Sequence, residues 1–290
     1  MKRLRQITVV GLGLLGGSVA LAVLRTMPGV RIVGYSHRPV TRRKARQLGV
    51  ADVVVDSLTE GVERADIVIL ATPILTFENI FKEICGALPS GCIVTDVGST
   101  KVQAHRWAER ILPKSVYYVG SHPIAGSEQR GVEFARDDLF EGTTCILTAT
   151  KRTSSEAVRR VKEFWGKLGC SIRLMDPSVH DRILADVSHL PHTMAAALVN
   201  ASDTEEMKLA GQGFIDASRI ASGPANIWAD ILLTNSGNTR RAIGRVVKEL
   251  EKLQKAISNG DERKIRELLD KARKKRSELI KYKMRHREIS

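Results

Sequence analysis

Residues 6–27, QITVVGLGLLGGSVALAVLRTM, confine the fold of this chain more tightly than any other stretch. The β-branched start reads as a strand and the Val/Ala/Leu-rich end as a buried helix. Between them stand Gly11, Gly13 and Gly16 in G-x-G-x-x-G spacing. Gly11 permits a tight turn, Gly13 lets an anion approach the backbone, and Gly16 lets the helix pack close to the strand. The helix read over SVALAVLRTM, after the turn, would aim the positive end of its dipole at that anion, with Leu14 and Leu15 in the cofactor-binding turn. A basic MKRLRQ followed by an apolar run also has the layout of a secretory leader. However, no small-residue cleavage site with a polar mature start follows Leu24. The segment is therefore expected to be the phosphate-binding turn of a dinucleotide site.

The alternation continues along the first half. RIVGYS (31–36), ADVVVD (51–56), DIVILA (66–71) and the run ending at Asp96 read as strands separated by helical segments, one of them over residues 76–88. A last strand is expected near residues 170–174. Aromatic residues are only 4% of the chain, so Val, Ile, Leu and Ala must fill the core, as in helix-covered parallel sheets. The fold class expected is α/β, with a Rossmann-like, doubly wound, mostly parallel sheet followed by an all-helical domain. The division is expected at residues 1–175 and 176–290. Ligands of such sheets sit at the carboxyl ends of strands, which points to Thr72 and Pro73 and to the loop 97–100.

The end of the second strand selects the cofactor. A carboxylate there would accept from a ribose 2′-hydroxyl, but this chain has Ser36, His37 and Arg38, with Arg42 and Arg43 close behind. A guanidinium beside a serine suits a 2′-phosphate, so NADP is the expected preference, with NAD also accepted.

A net charge of +14 raises the question of nucleic acid. Much of the excess lies after Lys248, on a helically patterned tail that lacks interleaved aromatic residues apart from Tyr282. The reading is a solvated helix face and a field that attracts a small polyanion, with neither nucleic-acid nor membrane binding. Cys85, Cys92, Cys145 and Cys170 lack metal or redox spacing and read as reduced thiols in a cytoplasmic protein.

Three motifs stand apart from the scaffold. VGSHPIAGSEQRG (119–131) sets His122 before a proline in a stretch read as a loop. DVGSTK (96–101) carries Ser99 on a strand-end loop. DVSHLPHTMAAALVNA (186–201) puts His189 and His192 three apart, on one face of a helix that Pro191 would disrupt at a cost of about 3 kcal/mol. Asp186, His189 and His192 could alternatively hold a metal ion, or the two histidines could simply lie on the surface.

Taken in order, GLGLLGGS, ATP at 71–73, DVGSTK, GSHPIAGSEQRGVE, SHLPH and GFIDASRIASGPANIW resemble the prephenate dehydrogenase family of tyrosine biosynthesis, over residues 6–235. The resemblance implies oxidative decarboxylation of prephenate, or of its transaminated form arogenate, with hydride passed to NAD or NADP. It further implies that His122 accepts the ring hydroxyl proton, with Ser99 orienting it and His192 lining the pocket. Arg219 would grip a substrate carboxylate, while His189, Glu128 and Trp228 would complete the substrate site, with no metal. Ile215 departs from the pattern, standing where some relatives carry a basic or polar residue. The family also implies a homodimer through the C-terminal helices, whose stripes at Ile243, Val246, Val247, Leu250, Leu253 and Ile257 and after residue 262 expose much apolar surface. Two rivals are β-hydroxyacid dehydrogenases, which rely on a helix-borne lysine, and a non-enzymatic NADP-binding sensor. Histidines fill the chemical positions here in place of that lysine, and the sensor would leave His122, Ser99 and Arg219 without a joint purpose.

Overall fold

The computed structural model describes residues 4–126 and 129–285. Six strands form one parallel sheet in the order β3-β2-β1-β4-β5-β6. They are β1 (Gln6–Val10), β2 (Arg31–Tyr35), β3 (Val53–Val55), β4 (Ile67–Leu70), β5 (Ile93–Asp96) and β6 (Tyr117–Tyr118). The connecting helices are α1 (Leu14–Thr26), α2 (Pro39–Gln47), α3 (Leu58–Val62), α4 (Phe77–Ile84) and α5 (Val102–Ile111). The α4 segment is shorter than its apolar pattern suggests, because Ile74–Thr76 winds as a 3-10 turn before it and Cys85 closes it. Strands buried on both faces distribute alternate residues to two cores. Ile67 and Ile69 enter one, Val68 and Leu70 the other. The strand order reverses between β1 and β4, which makes their carboxyl ends the crevice of the sheet.

A second sheet was not anticipated. It contains β7 (Gly120–Pro123), β8 (Thr144–Thr148) and β9 (Ser171–Met175), with β7 antiparallel and β9 parallel to β8. The chain passes from β6 into β7 across Val119, whose N–H still bonds Val94 of the first sheet at 3.1 Å. Thr95 and Ser121 then share a hydroxyl hydrogen bond of 2.6 Å. One extended run thus leaves the first sheet and enters the second, carrying His122 beside the carboxyl end of β5. His122 is consequently a buried strand residue facing Ile146 across the ladder, and the loop expected from its Gly/Pro neighbours is corrected.

Helix α6 (Ser155–Lys167) precedes β9, and the remainder is helical: α7 (Pro177–Leu184), a π-helical turn (Ala185–His189), α8 (Leu190–Ala201), α9 (Thr204–Met207), α10 (Gln212–Ser218), α11 (Ala225–Thr234), α12 (Ser236–Ser258) and α13 (Glu262–Arg285). Packing divides the chain into a unit Met1–Asn238 and a unit Thr239–Ser290. On the second unit, Val247, Leu250, Ile257, Leu269 and Leu279 remain exposed. No helix among the described residues is long and apolar enough to cross a membrane.

The glycine turn separates two physical demands. A Cβ on Gly16 would lie 1.8 Å from the Gly11 carbonyl oxygen, whereas one on Gly13 would meet nothing within 4 Å. Gly16→Ala is expected to lower the thermal unfolding midpoint and abolish dinucleotide binding together. Gly13→Ala is expected to keep the wild-type midpoint within a few degrees and still weaken binding at least ~10-fold, because a Cβ there enters open space where the glycine spacing leads one to expect the pyrophosphate. Thermal unfolding and fluorescence titration of the two variants check the split. Wild-type affinity in Gly13→Ala would contradict it.

Candidate active site

Strand β1, the glycine turn and helix α1 follow one another as the sequence leads one to expect. Gly11 holds φ at 101°, a conformation natural to glycine. Its missing side chain admits the β4 loop, since a Cβ there would lie 2.6 Å from the Ala71 oxygen and 2.8 Å from the Thr72 methyl. Helix α1 has Gly13 at its N-cap with no side chain satisfying it and no acid in its first turn. The N–H groups at Leu14 and Leu15 therefore begin a helix with room for an anion in front, and this cradle fits a pyrophosphate. Beside it, Thr72 bonds Thr76 at 2.8 Å and so fixes the loop that Pro73 enters.

At the end of β2, Ser36 is buried while His37 and Arg38 are exposed. Arg42 is committed elsewhere: it donates to the Ser36 carbonyl at 2.7 Å and to Asp56 at 2.6 Å. Asp56, held low by Arg46 and Arg42, keeps that brace ionised. Of the basic residues in this segment, Arg38 and Arg43 remain exposed to meet a ligand.

The DVGSTK loop is organised by charge buried at its two ends. Asp96 and Lys101 form an ion pair with both side chains fully buried, and the Tyr118 hydroxyl donates to the same carboxylate. Asp96 also accepts the Gly98 N–H at 2.7 Å, folding the loop back so that half-buried Ser99 stands between them. Burial raises the Tyr118 phenol well above its usual range, so it stays a donor. A buried pair satisfied in this way is costly to break from one side, by about 3–5 kcal/mol.

His122 joins this loop through a chain of hydrogen bonds. Its Nδ1 lies 2.9 Å from Nε2 of His180, and Nδ1 of His180 lies 2.8 Å from the Asp181 carboxylate. That carboxylate also accepts the N–H groups of Lys101 and Val102 at 2.8 and 2.9 Å, so α7 caps the start of α5. Burial pushes His122 well below the ordinary imidazole range, with His180 and Lys101 acting in the same direction. His180 is depressed by burial too. Both rings are therefore neutral near pH 7.

A second group of rings lies on the helices that follow. Pro191 has no N–H to donate and falls within the first turn of α8, directly after the π turn. The wider turn ends on His189, which is buried; its Nδ1 lies 3.1 Å from the Asn235 amide, whose nitrogen also donates to the Asp181 carbonyl at 2.7 Å. His192 stacks on Trp228 with ring centroids 3.5 Å apart and planes within 8°. A Cβ on Gly223 would press on both rings, at 2.9 and 2.5 Å, so the stack sits directly on backbone. His189 Nε2 and His192 Nδ1 are buried without a partner, which is what a ligand's polar groups would satisfy. Arg219 is exposed at the junction of α10 and the 3-10 turn Arg219–Ser222, which packs on α8. Ile215 is exposed on α10, and Glu128 lies outside the described residues. Asp186 is exposed, and no group of three His, Cys, Asp or Glu among the described residues is placed to hold a metal ion.

The structure thus brings His192 and Trp228 together in one stack and sets His122 on a strand that runs beside the end of β5, with Ser99 on the loop that follows β5. His180, Asp181, Lys101 and Asn235 were missed. In sequence, His180 and Asp181 read as the ordinary polar start of a helix. The one available signal is that DVGSTK places a lysine directly after a loop that must be buried.

The family model described as prephenate dehydrogenase, nucleotide-binding domain, matches residues 19–174, and the model described as prephenate dehydrogenase, dimerization domain, matches residues 176–271. The prephenate dehydrogenase of Bacillus subtilis is 35% identical over 88% of this chain and 71% of its own length. A solved structure of prephenate dehydrogenase from A. aeolicus in complex with hydroxyphenyl propionate and NAD+ is 36% identical, covering 96% of this chain and 99% of that one, with a TM-score of 0.88. The structure of Synechocystis arogenate dehydrogenase is 29% identical, with a TM-score of 0.80 over 94% of this chain and 99% of that one.

Burial of neutral imidazoles gives folding a pH dependence. Burial holds His105 and His189 down to about 4, while unfolded imidazoles take protons near pH 6.5. The unfolded state binds more protons between those values, so stability is full above about pH 6.5 and lost as pH falls toward about 4. The unfolding midpoint is expected to be flat from about pH 7 to 8 and to fall between about 6.5 and 5, above the carboxylate range. A midpoint that holds or rises over that interval would contradict the assignment.

Proposed function

The chain belongs to the prephenate dehydrogenase family, and from that premise we propose that it converts prephenate to 4-hydroxyphenylpyruvate with NAD(P) in tyrosine biosynthesis. The observation that carries the site assignment is a buried, neutral His122 held at the carboxyl end of the sheet, next to β5, the strand whose following loop bears Ser99. A dinucleotide held at Gly11, Gly13 and the first N–H groups of α1 would supply the acceptor for the hydride of the hydroxyl-bearing ring carbon. His122 takes the hydroxyl proton as that carbon becomes electron-poor. Electrons of the bond to the ring carboxylate enter the ring, carbon dioxide leaves, and the proton returns to the phenolic oxygen of the product. Aromatisation drives the step, so the protein mainly aligns, desolvates and manages one proton.

The remaining roles are proposed on the family resemblance, and the chemistry of the side chains supports them. Ser99 orients the hydroxyl or the His122 ring. Arg219 offers a planar fork to a carboxylate. The His192–Trp228 stack forms a flat wall beside the substrate side chain, and the unpartnered nitrogens of His189 and His192 hydrogen-bond its oxygens. On the family resemblance, Glu128 tunes substrate access or charge. Residues 176–290 form the substrate-binding and dimerising part, with the exposed apolar positions of α12 and α13 meeting a second copy. NADP is the preferred cofactor, supported by Arg38 and by the absence of an acid among residues 36–38.

Turnover is read as the rise in reduced-nicotinamide absorbance with prephenate or arogenate, each with NAD or NADP. Prephenate is expected to react, and arogenate alone would transfer the assignment to the transaminated substrate. His122→Asn should lower kcat by about 10²- to 10⁴-fold with dinucleotide affinity retained, and near-wild-type turnover would remove His122 from the proton step. Arg38→Ala should raise KM for NADP at least ~10-fold more than KM for NAD, as loss of a charged hydrogen bond requires. Equal effects on both cofactors would contradict the preference.

A further inference from the structure

The chain Asp181–His180–His122 determines more than position. A carboxylate only accepts hydrogen bonds, and Asp181 already receives two from the backbone of Lys101 and Val102. His180 Nδ1, at 2.8 Å, must therefore carry the proton of that contact. With Nδ1 protonated, the neutral ring of His180 has a bare Nε2, which can only accept. His122 Nδ1, at 2.9 Å, must then donate to it. The last nitrogen, Nε2 of His122, is left without a proton.

We propose that Asp181 and His180 are positioning residues that fix the tautomer of His122, so that Nε2 is the atom that accepts the substrate proton. This rests on the reading of His122 as the base. The same carboxylate holds the first N–H groups of α5, two residues beyond Ser99, so one group aligns both the loop and the ring. The other charged or titratable groups that His122 senses are Lys101 and His189, and neither is hydrogen-bonded to it. When His122 takes the proton, Nδ1 goes on donating to His180. The new charge is met by an acceptor already in place, with the Asp181 carboxylate behind it.

The test is the protonation pattern of the ring nitrogens in full-length protein labelled with ¹⁵N-histidine at pH 7.5. The His122 resonances are identified by their loss in His122→Asn. The wild type is expected to show His122 protonated at Nδ1 and bare at Nε2. Asp181→Asn retains an oxygen for α5 but can turn its amide N–H toward His180, which reverses every bond in the chain. His122 should then carry its proton on Nε2, and kcat should fall about 10²-fold or more with KM changed less than about threefold. Should that variant fold poorly, His180→Gln is expected to leave a mixture of His122 tautomers and an intermediate loss of kcat. Wild-type His122 protonated at Nε2 overturns the proposal, as does an unchanged tautomer and kcat in a folded Asp181→Asn. Failure of the base reading is a separate result: wild-type turnover in His122→Asn.

Discussion

The Asp181 carboxylate is the constraint on which the site depends. It lies in the interior, where an ionised carboxyl is expensive unless its lone pairs are occupied. Three donors occupy them: two backbone N–H groups at the start of α5 and the imidazole of His180. Its own carbonyl accepts from Asn235, which also meets His189. One residue on α7 therefore joins the β5–α5 loop, the second sheet and the end of α11. A small displacement of Asp181 would be felt by Ser99 and His122 through its carboxylate and by His189 through its carbonyl.

The site combines two electrostatic solutions close to one another. Asp96 and Lys101 are kept charged inside the protein because each satisfies the other, with Tyr118 and a backbone N–H completing the carboxylate. The histidines are kept neutral in the same region because burial denies them a proton, outweighing even the Asp181 carboxylate beside His180. Lys101 contributes to both, as a counterion to Asp96 and a repulsive charge toward the imidazoles. Permanent charge shapes the loop and uncharged imidazole remains available for chemistry, which is the division of labour that proton transfer near neutral pH requires.

What could be read from sequence was local. The glycine turn is legible because each glycine answers a demand made by atoms within a few residues or by the neighbouring strand. The parallel sheet is legible because strands buried on both faces have a distinctive composition. His122 was placed in a loop because Gly, Ser and Pro surround it. What makes the segment a strand is pairing with β8, more than twenty residues away, and nothing local announces that. Arg42 looked available to a phosphate because its commitment to Asp56, fourteen residues on, is a tertiary fact. The orienting groups His180 and Asp181 were invisible for the same reason: their meaning lies in what they touch.

The π turn before Pro191 acts as a phase element. An α-helix turns by about 100° per residue, so a single added or removed residue rotates everything after it by that angle. In this chain the widened turn sets the angular offset between the face of α7 that presents His180 and Asp181 and the face of α8 that presents His192 to Trp228. The two faces are thus indexed to each other by residue count and not by side-chain identity. Sequence change through this stretch is bounded by length: substitutions at exposed Asp186 or Val187 leave the angle alone, while the loss of either residue would turn the second face away from the first.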